Sequence, residues 1–218
     1  MKSLNDHKTT NLSDRVYQEY RELAGRYDRQ WRSYLNHTQQ KASELLLPEY
    51  NDKILDSSGG TGLFATYLLK KPETSVVISD FSDEMLEQAR QRFNSQRDRV
   101  TIVRADAHKL PFSDGAFHKV YNLNSLHYYA NQDFAVDELV RVCRPGGKLL
   151  ILDWSSDTRL FRMFARIMRM AGYEYSRILS SDELRNMFRE RGLHIIQSEN
   201  WTWRGWSLAA VVAEKPIG

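Results

Sequence analysis

The run Asp56-Ser57-Ser58-Gly59-Gly60-Thr61-Gly62 places a carboxylate and three glycines where an apolar stretch gives way to a helical one. Glycine lets the backbone turn tightly and approach a ligand more closely than any Cβ permits. A helix amino terminus adds free amides and a positive dipole end. Asp80 ends the next apolar run, and a carboxylate there can accept both hydroxyl protons of a ribose. The turn alone leaves the ligand open. Gly60-x-Gly62-x-x-Ala65 also fits the dinucleotide fingerprint, and a turn that only reverses the chain is a third reading.

Two neighbouring features favour a nucleoside that carries an amino group. Asp56 precedes the glycines, where it would repel a pyrophosphate and attract the ammonium of a methionine moiety. Arg104-Ala105-Asp106-Ala107 closes a third apolar run, and an Asp side chain with the next amide can pair with an adenine edge.

The elements that must position these groups follow from periodicity. Strands are predicted over Lys53–Asp56, Ser75–Asp80, Val100–Arg104, Ala116–Leu123 and Lys148–Asp153, separated by helices over Thr61–Lys70, Asp83–Phe93 and Phe134–Cys143. Ser82 is an N-cap candidate, and Pro145-Gly146-Gly147 stops the last of these helices. Alternating strands and helices imply parallel pairing in a doubly wound α/β sheet. Helices at Thr158–Ala171 and Ser181–Arg191 follow, the second with a Ser180-x-x-Glu183 capping box. Two final strands, His194–Thr202 and Ser207–Glu214, join around Arg204-Gly205 as a hairpin. The expected fold is a Rossmann-like, seven-stranded sheet, mostly parallel, with an antiparallel carboxy-terminal hairpin. Residues 1 to about 12 read as disordered. The region 1–48 is expected to form a helical lid or flank, and 49–218 the ligand-binding unit with a helical insertion at about 156–178, one structural domain in all.

The stretches Ile54-Leu55-Asp56-x-x-x-Gly60-Thr61-Gly62, Ser79-Asp80-Phe81-Ser82-x-x-Met85-Leu86-x-x-Ala89, Ala105-Asp106-Ala107-x-x-Leu110-Pro111-Phe112 and Arg141-Val142-x-Arg144-Pro145-Gly146-Gly147 occur in that order. Over Lys53 to Asp153 the chain resembles the class I S-adenosylmethionine-dependent methyltransferases, particularly the branch containing the ubiquinone and menaquinone methyltransferases. The resemblance implies that S-adenosylmethionine is the cofactor and S-adenosylhomocysteine its product. It implies that Asp56, Ser58, Gly60 and Gly62 cradle the methionine part and that Asp80 holds the ribose. Asp106 and Ala107 would read adenine, Phe81 and Met85 would pack on its face, and Asn122 and Leu123 would lie beside the methionine end. Two positions depart from the family: Ser58 stands where glycine is usual, and His118 where Asp is usual.

Methyl transfer is an in-line displacement, so alignment dominates and a base is needed only for a protonated nucleophile. His127, after the fourth strand, is the best candidate base, against the alternative that it only packs or caps. Tyr27, Trp31, Tyr128, Tyr129 and Trp154 could wall an acceptor, a reading that competes with plain core packing. Arg26-Tyr27-Asp28 resembles a lid signature of related enzymes. Arg159, Arg162, Arg166 and Arg169 form one helical stripe amid Leu160, Phe161, Phe164, Ile167 and Met168. That basic amphipathic helix suits an anionic or lipid-like acceptor, or peripheral membrane contact, against the alternative of a solvated charged face.

Composition narrows the classes further. The 218 residues are 41% hydrophobic and 27% charged with a net charge of +3, an ordinary globular balance. That small basic excess does not by itself predict nucleic-acid binding, because phosphate recognition needs the charge clustered on one face. A single cysteine, Cys143, excludes an internal disulfide and a paired-cysteine metal site, and makes a reducing cytoplasm the expected compartment. The expected function is methylation of a small-molecule acceptor by a monomer or homodimer. A membrane-surface quinone or phospholipid methyltransferase and a non-catalytic S-adenosylmethionine-binding regulator are the alternatives, with a nicotinamide-dependent reductase behind them.

Overall fold

The computed structural model describes residues 6–172 and 175–217, with side chains from Arg15 onward. Three helices come first: α1 (Asp6–Leu23), α2 (Tyr27–Gln30) and α3 (Arg32–Leu45). Strand β1 (Lys53–Ser57) leads through the glycine turn to α4 (Ala65–Leu68), then β2 (Ser75–Asp80), α5 (Asp83–Arg92), β3 (Val100–Arg104) and β4 (Phe117–Leu123). A 3-10 turn at Leu126–Tyr128 precedes α6 (Gln132–Val142) and β5 (Cys143–Trp154). The chain ends with α7 (Arg159–Met170), α8 (Ser181–Glu190), β6 (His194–Trp203) and β7 (Trp206–Glu214).

The seven strands lie in the order β3-β2-β1-β4-β5-β7-β6, with β7 antiparallel to both β5 and β6 and the remaining pairs parallel. From β1 the chain winds outward through β2 and β3, then returns to the other side of β1 for β4 and β5. The switch point therefore falls between β1 and β4, where an open α/β sheet leaves a crevice at its carboxyl edge. The central strands are apolar on both faces because helices cover both. On one face Leu55, Val120, Leu149 and Ile151 pack against Val136 and Leu139 of α6 and Leu184 and Phe188 of α8. On the other, Ile54, Ile78, Tyr121 and Leu150 pack against Ala42 of α3, Leu68 of α4 and Leu86 and Ala89 of α5.

Local chemistry accounts for the joints. Ser82 and Asn131 accept amide protons at the starts of α5 and α6, and the Ser180–Glu183 capping box forms in full. Arg204 (φ 47) and Gly205 (φ 89) make the two-residue turn that joins β6 to β7, the left-handed pair such hairpins require. His118, where Asp is usual, accepts the Lys53 amide proton on Nδ1 at 3.0 Å and so still ties β4 to the start of β1.

Three expectations need correcting. Residues 6–12 are not disordered but belong to α1, which packs on α5 and on the 126–128 turn; residues 1–5 lie outside the described residues. The helix expected over 61–70 shrinks to Ala65–Leu68, because the left-handed Gly60 and Gly62 hold the preceding residues in turns. Pro145-Gly146-Gly147 lies within β5 rather than before it. The Gly146 amide donates to Lys215 O and the Lys215 amide to Gly147 O, while a Cβ on Gly147 would sit 2.8 Å from Arg144 O and 2.9 Å from His118 O.

Candidate active site

The site begins where β1 runs out. A Cβ on Gly59 would come within 2.7 Å of Asp56 Oδ2, so the missing side chain there lets the Asp56 carboxyl lie beneath the turn. Asp56 is buried and Oδ2 has no hydrogen-bond partner. Burial, with Asp80 adding to it, pushes its pKa up to about 8. Asp80, at the end of β2, accepts the Gly60 amide on Oδ2 and the Ser82 amide on Oδ1, each at 2.9 Å. Burial raises its pKa, while these two amides oppose the rise. A carboxylate accepts about four hydrogen bonds, so Asp80 keeps capacity for two more donors.

The two glycines of the turn do different work. A Cβ on Gly60 would meet nothing nearer than Asp80 Oδ2 at 4.0 Å, so the backbone faces open space. A Cβ on Gly62 would lie 2.8 Å from Phe93 and 2.9 Å from Ile78. Gly62 thus sits against α5 and β2 and does not line the cleft. Ser58 occupies the left-handed region (φ 55), which explains why glycine suits that position. Its hydroxyl shares a 2.7 Å hydrogen bond with the Tyr129 hydroxyl, which also receives the Asn122 side-chain amide at 2.6 Å.

One cleft gathers most of the expected residues. Asp56, Ser58, Gly60, Asp80, Phe81, Met85, Asp106, Ala107 and Leu123 line its floor and sides. Tyr27, Tyr128 and Tyr129 also reach it, and its volume is about 1170 Å³ including the mouth. Asp106 accepts the His108 amide at 2.9 Å, and the His108 ring lies 2.7 Å from the same oxygen; this hydrogen bonding holds the Asp106 carboxyl below the usual carboxylate range. Asn122 lies beneath the floor, wholly buried, donating to Ser57 O at 3.2 Å.

The first helices form a roof. Tyr17 meets Phe81 edge-on at 5.4 Å, and Tyr20 stands against Tyr27 and Tyr128, both at 5.6 Å. Asp28 fastens this roof: it accepts the Thr61 hydroxyl proton at 2.7 Å and pairs with Arg92 of α5. Periodicity had shown the tyrosines but not Asp28's link to the glycine turn, for which only the Arg26-Tyr27-Asp28 resemblance gave a hint. Gln39, Leu35, Ser125 and His108 also line the cleft and were not singled out.

Besides Gly62 and Asn122, three more expected residues lie outside the cleft lining. His127 is buried, with Nδ1 2.5 Å from Asp153 Oδ1, its ring stacked on Trp154 at 4.0 Å and Nε2 unpartnered in a small side cavity. It is not part of the cleft wall, so the arrangement gives it no route to a nucleophile there. Trp154 donates its indole proton to Tyr34 Oη and stacks on Trp206 at 5.0 Å. Trp31 stands edge-on to Tyr34 and Trp206. Both tryptophans therefore belong to an aromatic cluster behind the roof. Among the described residues no cluster of His, Cys, Asp and Glu could hold a metal ion.

This sheet order, with the glycine turn and acidic strand ends at its switch point, makes a doubly wound, Rossmann-like α/β fold. Residues 54–147 match the family described as a methyltransferase domain. The chain is 34% identical over 140 residues to the ubiquinone/menaquinone biosynthesis C-methyltransferase UbiE of Pseudomonas putida, covering 62% of this chain and 52% of that one. It is 37% identical over 115 residues to the demethylmenaquinone methyltransferase of Thermus thermophilus, 52% of each. The chain spans about half the length of these curated relatives. Among solved structures, an S-adenosylmethionine-dependent methyltransferase from Aquifex aeolicus aligns with TM-score 0.62 at 19% identity, over 80% of this chain and 88% of that one. The [4+2]-cyclase SpnF aligns with TM-score 0.72 at 19% identity, over 86% and 83%. Both share the fold.

Proposed function

We propose that the chain is an S-adenosylmethionine-dependent methyltransferase acting on a small, flat acceptor. The observation that carries this is the pairing at the switch point of a partnerless buried carboxyl, Asp56, with a carboxylate, Asp80, that two backbone amides preorient. A cationic amino group satisfies the first, and ribose hydroxyls the second. Asp106, Ala107, Phe81 and Met85 then face the purine. The bound cofactor supplies an electrophilic methyl group whose in-line transfer leaves S-adenosylhomocysteine.

The acceptor side is read from the roof. Tyr20, Tyr27 and Tyr128, with Leu35 and Leu63, make a wall suited to an aromatic ring. The quinone methyltransferases among the relatives fit such an acceptor. Burial pushes the Tyr20, Tyr27 and Tyr128 hydroxyls far above their ordinary range, so they remain neutral donors rather than bases. An acceptor acidic enough to lose its proton to solvent, such as a phenol or hydroquinone, would need none of these hydroxyls as a base. The helices of 1–48 act as the lid of a single domain, latched through Asp28.

Calorimetry with S-adenosylmethionine and S-adenosylhomocysteine tests the cofactor site. Asp80→Ala is expected to weaken both by about 1.5–3 kcal/mol, the value of charge-assisted hydrogen bonds. Unchanged affinity would remove Asp80 from the site. Tight cofactor binding without methyl transfer to any of a panel of phenols and hydroquinones would favour a non-catalytic binding protein.

A further inference from the structure

Helix α7 has three faces rather than two. Phe161, Ala165 and Met168 turn inward onto the aromatic cluster behind the roof. Leu160, Met163, Phe164, Ile167 and Met170, at spacings of three and four, all point to solvent; Leu160 is 69% exposed and Met170 88%. Among the described residues no other helix or strand leaves more than one large hydrophobic side chain exposed. Arg159, Arg162, Arg166 and Arg169 run along the edge of this apolar face. The helix contains no acidic residue, and none of its four arginines has a carboxylate partner among the described residues. Arg162 donates to Ser156 O at 2.6 Å and Arg169 to Ser176 O at 2.9 Å, so both are held in place with their charge uncompensated.

The surface continues beyond the helix. Phe164 meets Trp206 at 6.0 Å and Trp206 meets Trp31 at the same distance, while Arg204 at the hairpin tip lies over Trp203. Half-buried tryptophans beside exposed aliphatic groups and cations form the composition that settles at a lipid–water boundary. A face solvated by water would not bring its apolar side chains together, and a contiguous apolar strip of this kind marks an interaction surface.

We infer that α7, with the hairpin tip beside it, lies in the headgroup plane of an anionic lipid bilayer. The aliphatic row enters the acyl boundary and the arginines meet the lipid charge. Charge complementarity selects this occupant: a row of guanidinium groups without carboxylate partners among the described residues edges the apolar strip, on a helix that carries no acid of its own. The surface is one layer from the cleft, since Tyr27 and Leu63 pack on the α7 cluster and also line the cleft. This orientation would present the roof side of the cleft to the membrane, suiting an acceptor drawn from lipid.

The test is co-sedimentation of the full chain with vesicles of phosphatidylcholine alone and of phosphatidylcholine mixed with phosphatidylglycerol. It reads lipid partition, so it stands or falls separately from methyl transfer. The wild type is expected to partition onto the anionic vesicles and to come off as salt rises. Arg159→Gln with Arg166→Gln should weaken that partition about thirtyfold, from about tenfold-per-1.4 kcal/mol scaling of two surface charges. Leu160→Asn with Ile167→Asn should weaken it tenfold or more. Thermal unfolding should be unchanged in both pairs, because these side chains are exposed. Three results would overturn the proposal: no partition onto anionic vesicles, partition indifferent to both pairs, or lipid-free self-association abolished by the Leu160/Ile167 pair, which would make a second copy the occupant.

Discussion

Asp56 should couple cofactor binding to proton release. With its pKa pushed up to about 8, the carboxyl is about nine-tenths protonated at pH 7 in the ligand-free protein. An ammonium brought beside the partnerless Oδ2 favours the charged form, so binding at pH 7 expels close to one proton. Affinity should then climb about ninefold from pH 6 to 7 and about fivefold from pH 7 to 8, levelling off above as the carboxyl is already ionised. Titration calorimetry at pH 7 in two buffers of different ionisation enthalpy reads the proton directly, as a difference in observed heat. Asp56→Asn should remove both the buffer dependence and the pH slope.

The same group makes a stability prediction of known sign. Its folded pKa lies above the unfolded value of 3.8, so between about pH 4 and pH 8 the folded state holds a proton that the unfolded chain has lost. Stability contributed by the neutral carboxyl is complete below pH 4 and lost as pH rises towards 8, by up to about 1.4 kcal/mol per unit. Asp56→Asn should therefore stabilise the ligand-free protein increasingly with pH, with a ceiling on the order of 5 kcal/mol. Buffer-independent heats together with a pH-independent Asp56→Asn effect on unfolding would refute the account.

Other outcomes follow from the same geometry. Gly62→Ala forces a methyl against Phe93 and Ile78 at positive φ and should lower stability by about 1–3 kcal/mol in urea unfolding, with cofactor affinity of the folded fraction kept. Ser58→Gly relieves a left-handed serine but loses a hydrogen bond, terms of about 1 kcal/mol each, so its unfolding midpoint should barely move. Lys119→Ala leaves Asp52 buried without its ammonium and should cost about 3–5 kcal/mol, measured by denaturant unfolding.

The sheet was legible because its signals are local. Strand, glycine turn, capping box and hairpin each rest on a few adjacent residues, and the Arg204-Gly205 turn could hardly serve another purpose. Roles that depend on what lies across the fold were not legible. Gly60 and Gly62 are the same residue type two positions apart, yet only the neighbours of an absent Cβ distinguish the one facing the cleft from the one packed on Phe93. His127 resembled a base until the fold buried it against Trp154, outside the cleft wall. On α7 the arginine stripe was visible in the sequence, but which apolar residues faced inward was not, because any of three adjoining arcs could have met the core. Residues 6–12 carry little periodicity of their own and are helical as the opening turns of α1, whose later residues Tyr17 and Arg21 meet Phe81 and Glu84.

The two halves of the cleft stand on different footing. Asp56, Gly60, Asp80, Asp106 and Ala107 all fall within residues 54–147, the stretch that matches the methyltransferase domain family. They sit on strand ends and tight turns of a rigid sheet, where positions are set by backbone pairing. Tyr20, Tyr27, Leu35 and Gln39 come from helices before that stretch, and α7 and the β6–β7 hairpin from after it. Likeness to known methyltransferases therefore speaks to how this chain would hold the cofactor and says much less about what it would methylate. On the proposed reading selectivity would come from the wall around the cleft, whose tyrosines Tyr20, Tyr27 and Tyr128 meet through ring contacts and hydroxyl hydrogen bonds. Such a wall would suit acceptors of one shape class, while the carboxylates beneath it would hold the proposed cofactor.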